Sequence, residues 1–135
     1  MKKKSMDRLE ALQLLNNART GEIVVAVYQA ATTWANISNS DLNYTFTGAM
    51  GQGSSHALGL ALGKPNKRVI VLDGDGSLIM HMGSLISSGM KAKSNFKHIL
   101  FNNSSHESVG GQKIDTKKIL IKDIIKGFGY KKYYK

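Results

Sequence analysis

The apolar positions along this 135-residue chain change period repeatedly, and each change marks a passage between helix and strand. From Met6 to Asn17, residues Met6, Leu9, Leu12 and Leu15, with Ala11 and Leu14, recur at helical spacing and predict an amphipathic helix that Gly21 stops. Glu22 to Tyr28 (EIVVAVY) is β-branched and apolar without alternation, the mark of a strand covered on both faces. Gln29 to Ile37 predicts a short helix, Asn39-Ser40-Asp41 a turn, and Asn43 to Thr47 a short strand. Gly48 to Gly51 reads as a loop, and Ser54 to Leu62 as a helix of small residues ended by Gly63-Lys64-Pro65-Asn66. A strand follows at Lys67 to Leu72. A helix follows at Leu78 to Met90, with Leu78, Met82, Leu85 and Ile86 on one side. Phe96 to Phe101 is a strand and Asn102 to Gln112 a polar, Gly-containing loop. Thr116 to Lys126 is a helix ended by Gly127 to Gly129, and Tyr130 to Lys135 begins a further strand. Strands alternating with helices predict an α/β fold of three layers, α/β/α, around a mainly parallel sheet, in one domain covering residues 1–135.

Composition narrows the class. An apolar fraction of 41% fits a globular chain long enough to bury a core. The absence of cysteine excludes a disulfide frame and a thiolate metal site. No apolar run approaches the ~20 residues that span a bilayer. Met1-Lys2-Lys3-Lys4 mimics the start of a signal peptide, but Asp7, Arg8 and Glu10 follow where an apolar stretch would be needed. The expectation is a cytoplasmic protein with no membrane partner. The net charge of +10 invites a nucleic-acid reading. Only Arg8, Arg19 and Arg68 among the 19 basic residues are arginine, the type that bidentate recognition favours. The lysines concentrate at Lys2 to Lys4 and from Lys113 to Lys135, and no basic helix carries interleaved aromatics. No nucleic-acid partner is expected; the charge suits anionic substrates or an acidic partner.

The candidate chemistry lies in two loops. Gly74-Asp75-Gly76-Ser77 follows the apolar run Val69 to Leu72, and Asn102-Asn103, separated from Gly76 by 25 residues, follows His98 to Phe101. Both sit at the carboxyl ends of strands, where open α/β sheets bind ligands. Asp75 offers a carboxylate, the glycines allow close approach, and the asparagines offer neutral oxygens, a set that hard cations such as Mg2+ favour alongside phosphate. A helix beginning near Ser77 would aim its N-terminal amides at an anion. Each loop alone has an ordinary reading. The first is a turn with Ser77 as helix cap; the second is a common Asn turn. Together they point to a Mg-diphosphate cradle.

The pattern Gly-Asp-Gly, some two dozen residues, then Asn-Asn resembles the diphosphate-binding motif of thiamine-diphosphate enzymes. The stretches at 47–85 (TGAMGQGSSHALGLALGKPNKRVIVLDGDGSLIMHMGSL) and 98–112 (HILFNNSSHESVGGQ) are similar to phosphonopyruvate decarboxylase and sulfopyruvate decarboxylase. The resemblance covers about residues 6–130 and implies the cofactor-diphosphate domain of a 2-oxo acid decarboxylase. It implies Asp75, the Asn103 side chain and the Ser105 carbonyl as Mg2+ ligands, and Gly74, Gly76 and Ser77 as diphosphate contacts. The Gly48 carbonyl would accept from the cofactor's 4′-amino group, and Met50 would prop the bent cofactor, which serves as electron sink for loss of CO2. Met50 also has an ordinary reading as a core residue, as does Met82. His106 and Glu107, in the segment His106 to Gln112, are the catalytic candidates, with a solvated turn as the alternative. His56 reads as a packing or capping residue.

Three departures from the family carry consequences. Its pyrimidine-binding domain, with the glutamate that activates the cofactor, is absent, and Glu10, Glu22 and Glu107 lie in the wrong context to replace it. A partner chain carrying that domain is therefore expected, the alternative being a non-catalytic remnant that still binds thiamine diphosphate. The Lys and Arg that follow the family's first strand are replaced by Tyr28-Gln29-Ala30-Ala31-Thr32-Thr33-Trp34, and Ser104 stands where glycine is usual, at a cost of about 1 kcal/mol if φ is positive. The domain also reads as C-terminally shortened, leaving a sheet edge exposed.

Overall fold

A computed structural model describes residues 6–46 and 48–135. Lys2 to Lys4 and Thr47, on which the leader-like start and the end of the second strand were read, lie outside the described residues. Four strands, β1 (Ile23–Val27), β2 (Asn43–Phe46), β3 (Val69–Gly74) and β4 (Phe96–Phe101), form one sheet in the order β2-β1-β3-β4, every pair parallel. The alternation read from the sequence thus gives the expected parallel sheet.

The unbroken apolar run of β1 follows from burial on both sides. Val24 and Ala26 face α1 (Arg8–Ala18) and α2 (Tyr28–Ile37), meeting Leu12, Ala30, Ala31 and Trp34 with Ile70 and Leu72 of β3. Val25 and Val27 face the opposite way, onto Ala57 and Ala61 of α3 (Gly53–Gly63) with Val69 and Val71. The result is three layers. Trp34 is 1% exposed and donates its indole N–H to the Asn43 side chain at 3.0 Å, so its one polar atom is satisfied inside the core. Two Asp side chains are also fully enclosed, and both belong to the cleft described below.

The helix expected over Leu78 to Met90 is two. α4 (Asp75–Met80) begins directly at the end of β3, and α5 (Ser84–Lys91) follows after a turn at His81 to Gly83. The Ser84 amide and hydroxyl both donate to the His81 carbonyl, at 3.0 and 2.9 Å, and this local pairing competes with helix continuation. α5 then packs against α3, burying Leu85 and leaving Ile86 exposed. The last helix, α6 (Ile121–Gly127), starts five residues later than Thr116, where the periodicity placed it. Thr116 is instead buried, its hydroxyl held by the loop after β4.

Residues Tyr130–Lys135 form no strand. The turn ending α6 seats Phe128 and Gly129 against Gly89 of α5, where a Cβ on Gly89 would overlap the Phe128 carbonyl. Tyr130 then turns inward beneath the sheet edge, its hydroxyl 3.4 Å from His98 Nδ1, and residues 131–135 are exposed. Backbone contact with α5, which the hydropathy of this segment does not encode, has displaced pairing with β4.

Gly89→Ala should lower the denaturant midpoint by about 1–3 kcal/mol of stability, because the added methyl has no space. Gly59→Ala, on α3 with nothing within 4 Å of its added carbon, should instead gain up to about 1 kcal/mol. Burial, reinforced by the nearby Asp73 carboxylate, pushes the Tyr130 hydroxyl up to about 12. A phenol whose pKa is higher folded than unfolded holds its proton more tightly in the native state, so stability falls as pH rises from about 10 to about 12. Tyr130→Phe should flatten that limb in alkaline unfolding curves.

Candidate functional site

The order in which strands are added to the sheet reverses between β1 and β3, since β2 lies on one side of β1 and β3 on the other. At their carboxyl ends, where such a reversal opens a crevice, lies a cleft of about 450 Å³, a size typical of small-molecule sites. β1 and the start of α2 contribute Tyr28, Gln29 and Ala30. β3 and α4 contribute Asp73, Gly74, Asp75, Gly76 and Ser77. The loop after β4 contributes Asn102, Asn103, Ser105, His106 and Glu107. Met50 and the first turn of α1 complete the walls.

One carboxylate holds the two sequence-predicted loops together. Asp75 is 2% exposed; its Oδ1 accepts from the Gly76 amide at 3.0 Å and its Oδ2 from the Ser104 amide at 2.7 Å. The second bond crosses from the end of β4 to the end of β3. To make it, Ser104 takes φ +58°, the left-handed conformation the missing glycine foretold. Its hydroxyl recovers part of the cost through Thr116 Oγ1 at 2.6 Å and Asn102 Oδ1 at 3.4 Å. Asn103 caps the next turn, its Oδ1 accepting from the Ser105 amide at 3.0 Å while its Nδ2 donates to Glu107 Oε2 at 3.0 Å. Beyond it, β5 (Ser105–His106) and β6 (Gln112–Lys113) form a small antiparallel ribbon around a 3-10 turn at Glu107–Val109.

The other predicted residues fall as follows. Ser77 is buried, and its Oγ accepts from the Gly51 amide at 3.1 Å, pinning the loop that carries Met50 to the start of α4. Gly51 has φ +87°, and a Cβ there would strike His81, so this loop requires glycine at that point. Gly48 lies exposed two residues before Met50, outside the cleft lining. The His106 ring packs directly on Gly76: a Cβ at Gly76 would lie 2.5 Å from His106 Nδ1, which is buried without a hydrogen-bond partner. The space that Gly76 leaves is thus filled by a side chain of the cleft. His56 stands on α3, its ring 3.2 Å from the Gln52 carbonyl and stacked on Tyr44, consistent with a packing role.

Sequence reasoning passed over three groups. Asp73, 1% exposed, accepts from the Gly74 amide at 2.9 Å and from His98 Nε2 at 3.2 Å, so a buried chain runs from the cleft floor through His98 to Tyr130. Its position inside an apolar strand was the available signal. Tyr28, at φ +47°, is the second described non-glycine residue in the left-handed region. Arg8, at the start of α1, pairs its Nη2 with Glu107 Oε2 at 2.5 Å over the cleft.

The donor chemistry fits a hard cation bound with an anionic group. Asp7, Asp73, Asp75 and Glu107 line the cleft with Arg8 as the lone Arg or Lys among its described residues, inside a chain of net charge +10. Among the described residues no cluster of three His, Cys, Asp or Glu side chains stands ready for a metal, so a cation here would draw on Asp75 and on neutral oxygens such as those of Asn103 and Ser105. Ser104→Ala, which keeps the strained φ and loses the hydroxyl, should be less stable than Ser104→Gly by about 1 kcal/mol in chemical denaturation.

Comparison with known proteins agrees with this geometry. Residues 20–124 match the family model described as thiamine pyrophosphate enzyme, C-terminal TPP binding domain. The phosphonopyruvate decarboxylase of Streptomyces viridochromogenes is 31% identical over 92% of this chain and 32% of its own length. The sulfopyruvate decarboxylase subunit beta of Methanocaldococcus jannaschii is 40% identical over 69% of this chain and 50% of its own length. The chain therefore spans a third to a half of these curated relatives. The fold is that of benzoylformate decarboxylase from Polynucleobacter necessarius over 96% of this chain and 29% of that one, with a TM-score of 0.74 at 22% identity. With the family model covering most of its length and the paired loops assembled at the switch point, the chain belongs to the C-terminal TPP binding domains of thiamine pyrophosphate enzymes.

Proposed function

We propose that this chain supplies the diphosphate- and Mg2+-binding half of a thiamine-diphosphate-dependent decarboxylase acting on a 2-oxo acid of the phosphonopyruvate or sulfopyruvate kind. The observation that carries the reading is the Ser104-to-Asp75 bond, which brings the two loops into one cleft. The names of the relatives support the substrate class. The name subunit beta supports a partner chain that brings the pyrimidine-binding domain and its activating carboxylate. Glu22 has no part in that role: it lies at the amino end of β1, where Arg68 and the Thr20 amide hold it.

In this reading Asp75, the Asn103 side chain and the Ser105 carbonyl would hold Mg2+, whose charge would offset that of the diphosphate. Gly74, Gly76 and Ser77 border the diphosphate, with the Ser77 hydroxyl proton free to donate. Met50, which lines the cleft, would support the bound cofactor, whereas Gly48 stands outside the lining. The bound cofactor supplies the electron sink for loss of CO2. His106 and Glu107, both in the cleft lining, would face the substrate and are the candidates for moving a proton during turnover.

The test is calorimetric titration of thiamine diphosphate, with and without Mg2+, on the assembled enzyme. Asp75→Asn keeps the side chain's shape and one acceptor oxygen while removing its charge. It should weaken Mg-dependent binding at least about a hundredfold, about 2.7 kcal/mol. Unchanged affinity would remove the metal assignment. CO2 release from sulfopyruvate or phosphonopyruvate by the wild-type complex checks the reaction itself.

A further inference from the structure

We propose that Arg8 anchors a second acidic group at the far end of the substrate, and that Glu107 occupies that position in its absence. The inference rests on the decarboxylase reading and names the residue that would select among 2-oxo acids. A substrate carrying a phosphonate or sulfonate beyond its 2-oxo acid brings at least two negative charges into a cleft bordered by four carboxylates. Some cation has to receive the second charge. The end of β1 offers Tyr28, Gln29 and Ala30, all uncharged, and every described lysine is exposed and outside the cleft. Arg8 remains.

Its geometry suits the task. Arg8 is the first residue of α1, a helix capped by Asp7 and fixed to the core by fully buried Leu12, so the guanidinium is presented from a rigid element. Its side chain is 25% exposed. Among the described residues it has one polar partner, Glu107, which leaves most of its five N–H donors unpaired. A planar guanidinium binds carboxylate, phosphonate and sulfonate oxygens in pairs, and the Glu107 carboxylate engaged there is itself an anion of this class. Glu107 is able to yield. Its side chain is 46% exposed, and the short turn that bears it ends at Gly110 and Gly111, both with positive φ. Glu107 Oε2 also accepts from Asn103 Nδ2, so its departure from Arg8 leaves it a partner on the cation loop.

The experiment uses the chain purified from its host with its accompanying subunits, saturated with Mg2+ and thiamine diphosphate so that the diphosphate position is filled. Two quantities are read. One is the ratio of kcat/KM for sulfopyruvate to that for pyruvate. The other is calorimetric affinity for 3-sulfopropanoate, which carries the sulfonate but no 2-oxo group. Arg8→Ala should lower the ratio about 30- to 100-fold and weaken 3-sulfopropanoate at least about tenfold, the scale of a lost charge-assisted pair. Arg8→Lys, which keeps the charge and loses the paired donors, should fall between, and it carries the test if the alanine variant does not fold. Equal losses on both substrates, or 3-sulfopropanoate binding that does not depend on Arg8, would overturn the anchor. If the wild-type protein releases CO2 from neither acid yet binds 3-sulfopropanoate through Arg8, the anchor stands and the decarboxylase reading falls.

Discussion

A single buried carboxylate organises this domain's working end. Burying an ionised Asp costs several kcal/mol unless its oxygens are hydrogen-bonded. Asp75 receives one amide from its own turn and one from the loop after β4. The second bond fixes the spacing of two loops that the sheet alone would leave independent. It sets the backbone of Ser104, and through the Ser104 hydroxyl it holds Thr116 in place. Each Asp75 oxygen keeps a second lone pair, so the tie between loops does not exhaust the carboxylate's capacity for a cation.

Much of this was legible in the residues. β1, β3 and β4 announce themselves as apolar runs because parallel strands under helices are buried on both faces. The Gly-Asp-Gly-Ser and Asn-Asn loops were found because each directly follows such a run. What escaped the reading was fixed by tertiary contact. Thr116 has the composition of a helix start, but a bond to the site loop holds it outside α6. Tyr130 and the residues after it have the composition of a strand, but the approach of Phe128 to Gly89 diverts them. The turn at His81 depends on Ser84 folding back on it, a local bond that hydrophobic spacing does not register. Arg8 reads as an ordinary helix-surface charge until its neighbour 99 residues away is known.

Both described non-glycine residues in the left-handed region, Tyr28 and Ser104, border or brace the cleft. Such positions cost roughly 1–3 kcal/mol each and persist only where surrounding structure over-determines them. Ser104 is held by Asp75, Asn102 and Thr116. Tyr28 directly follows β1 and is partly buried against the core cluster that contains Val25 and Val27. The strain therefore sits at the ends of two strands facing the same cavity, which is the distribution expected where backbone geometry serves a ligand.

The separation of charge in this molecule has a kinetic meaning. Viewed from a distance, a chain of net charge +10 with its described lysines on the surface attracts anions of every sort and raises their encounter rate. Viewed from the cleft mouth, the nearest fixed charges are mostly carboxylates, and a bare polyanion that has been drawn in meets repulsion over its last few ångströms. An anion whose charge is partly offset by a bound cation meets less. The outer field gathers anions, and the inner field disfavours those that carry their charge uncompensated.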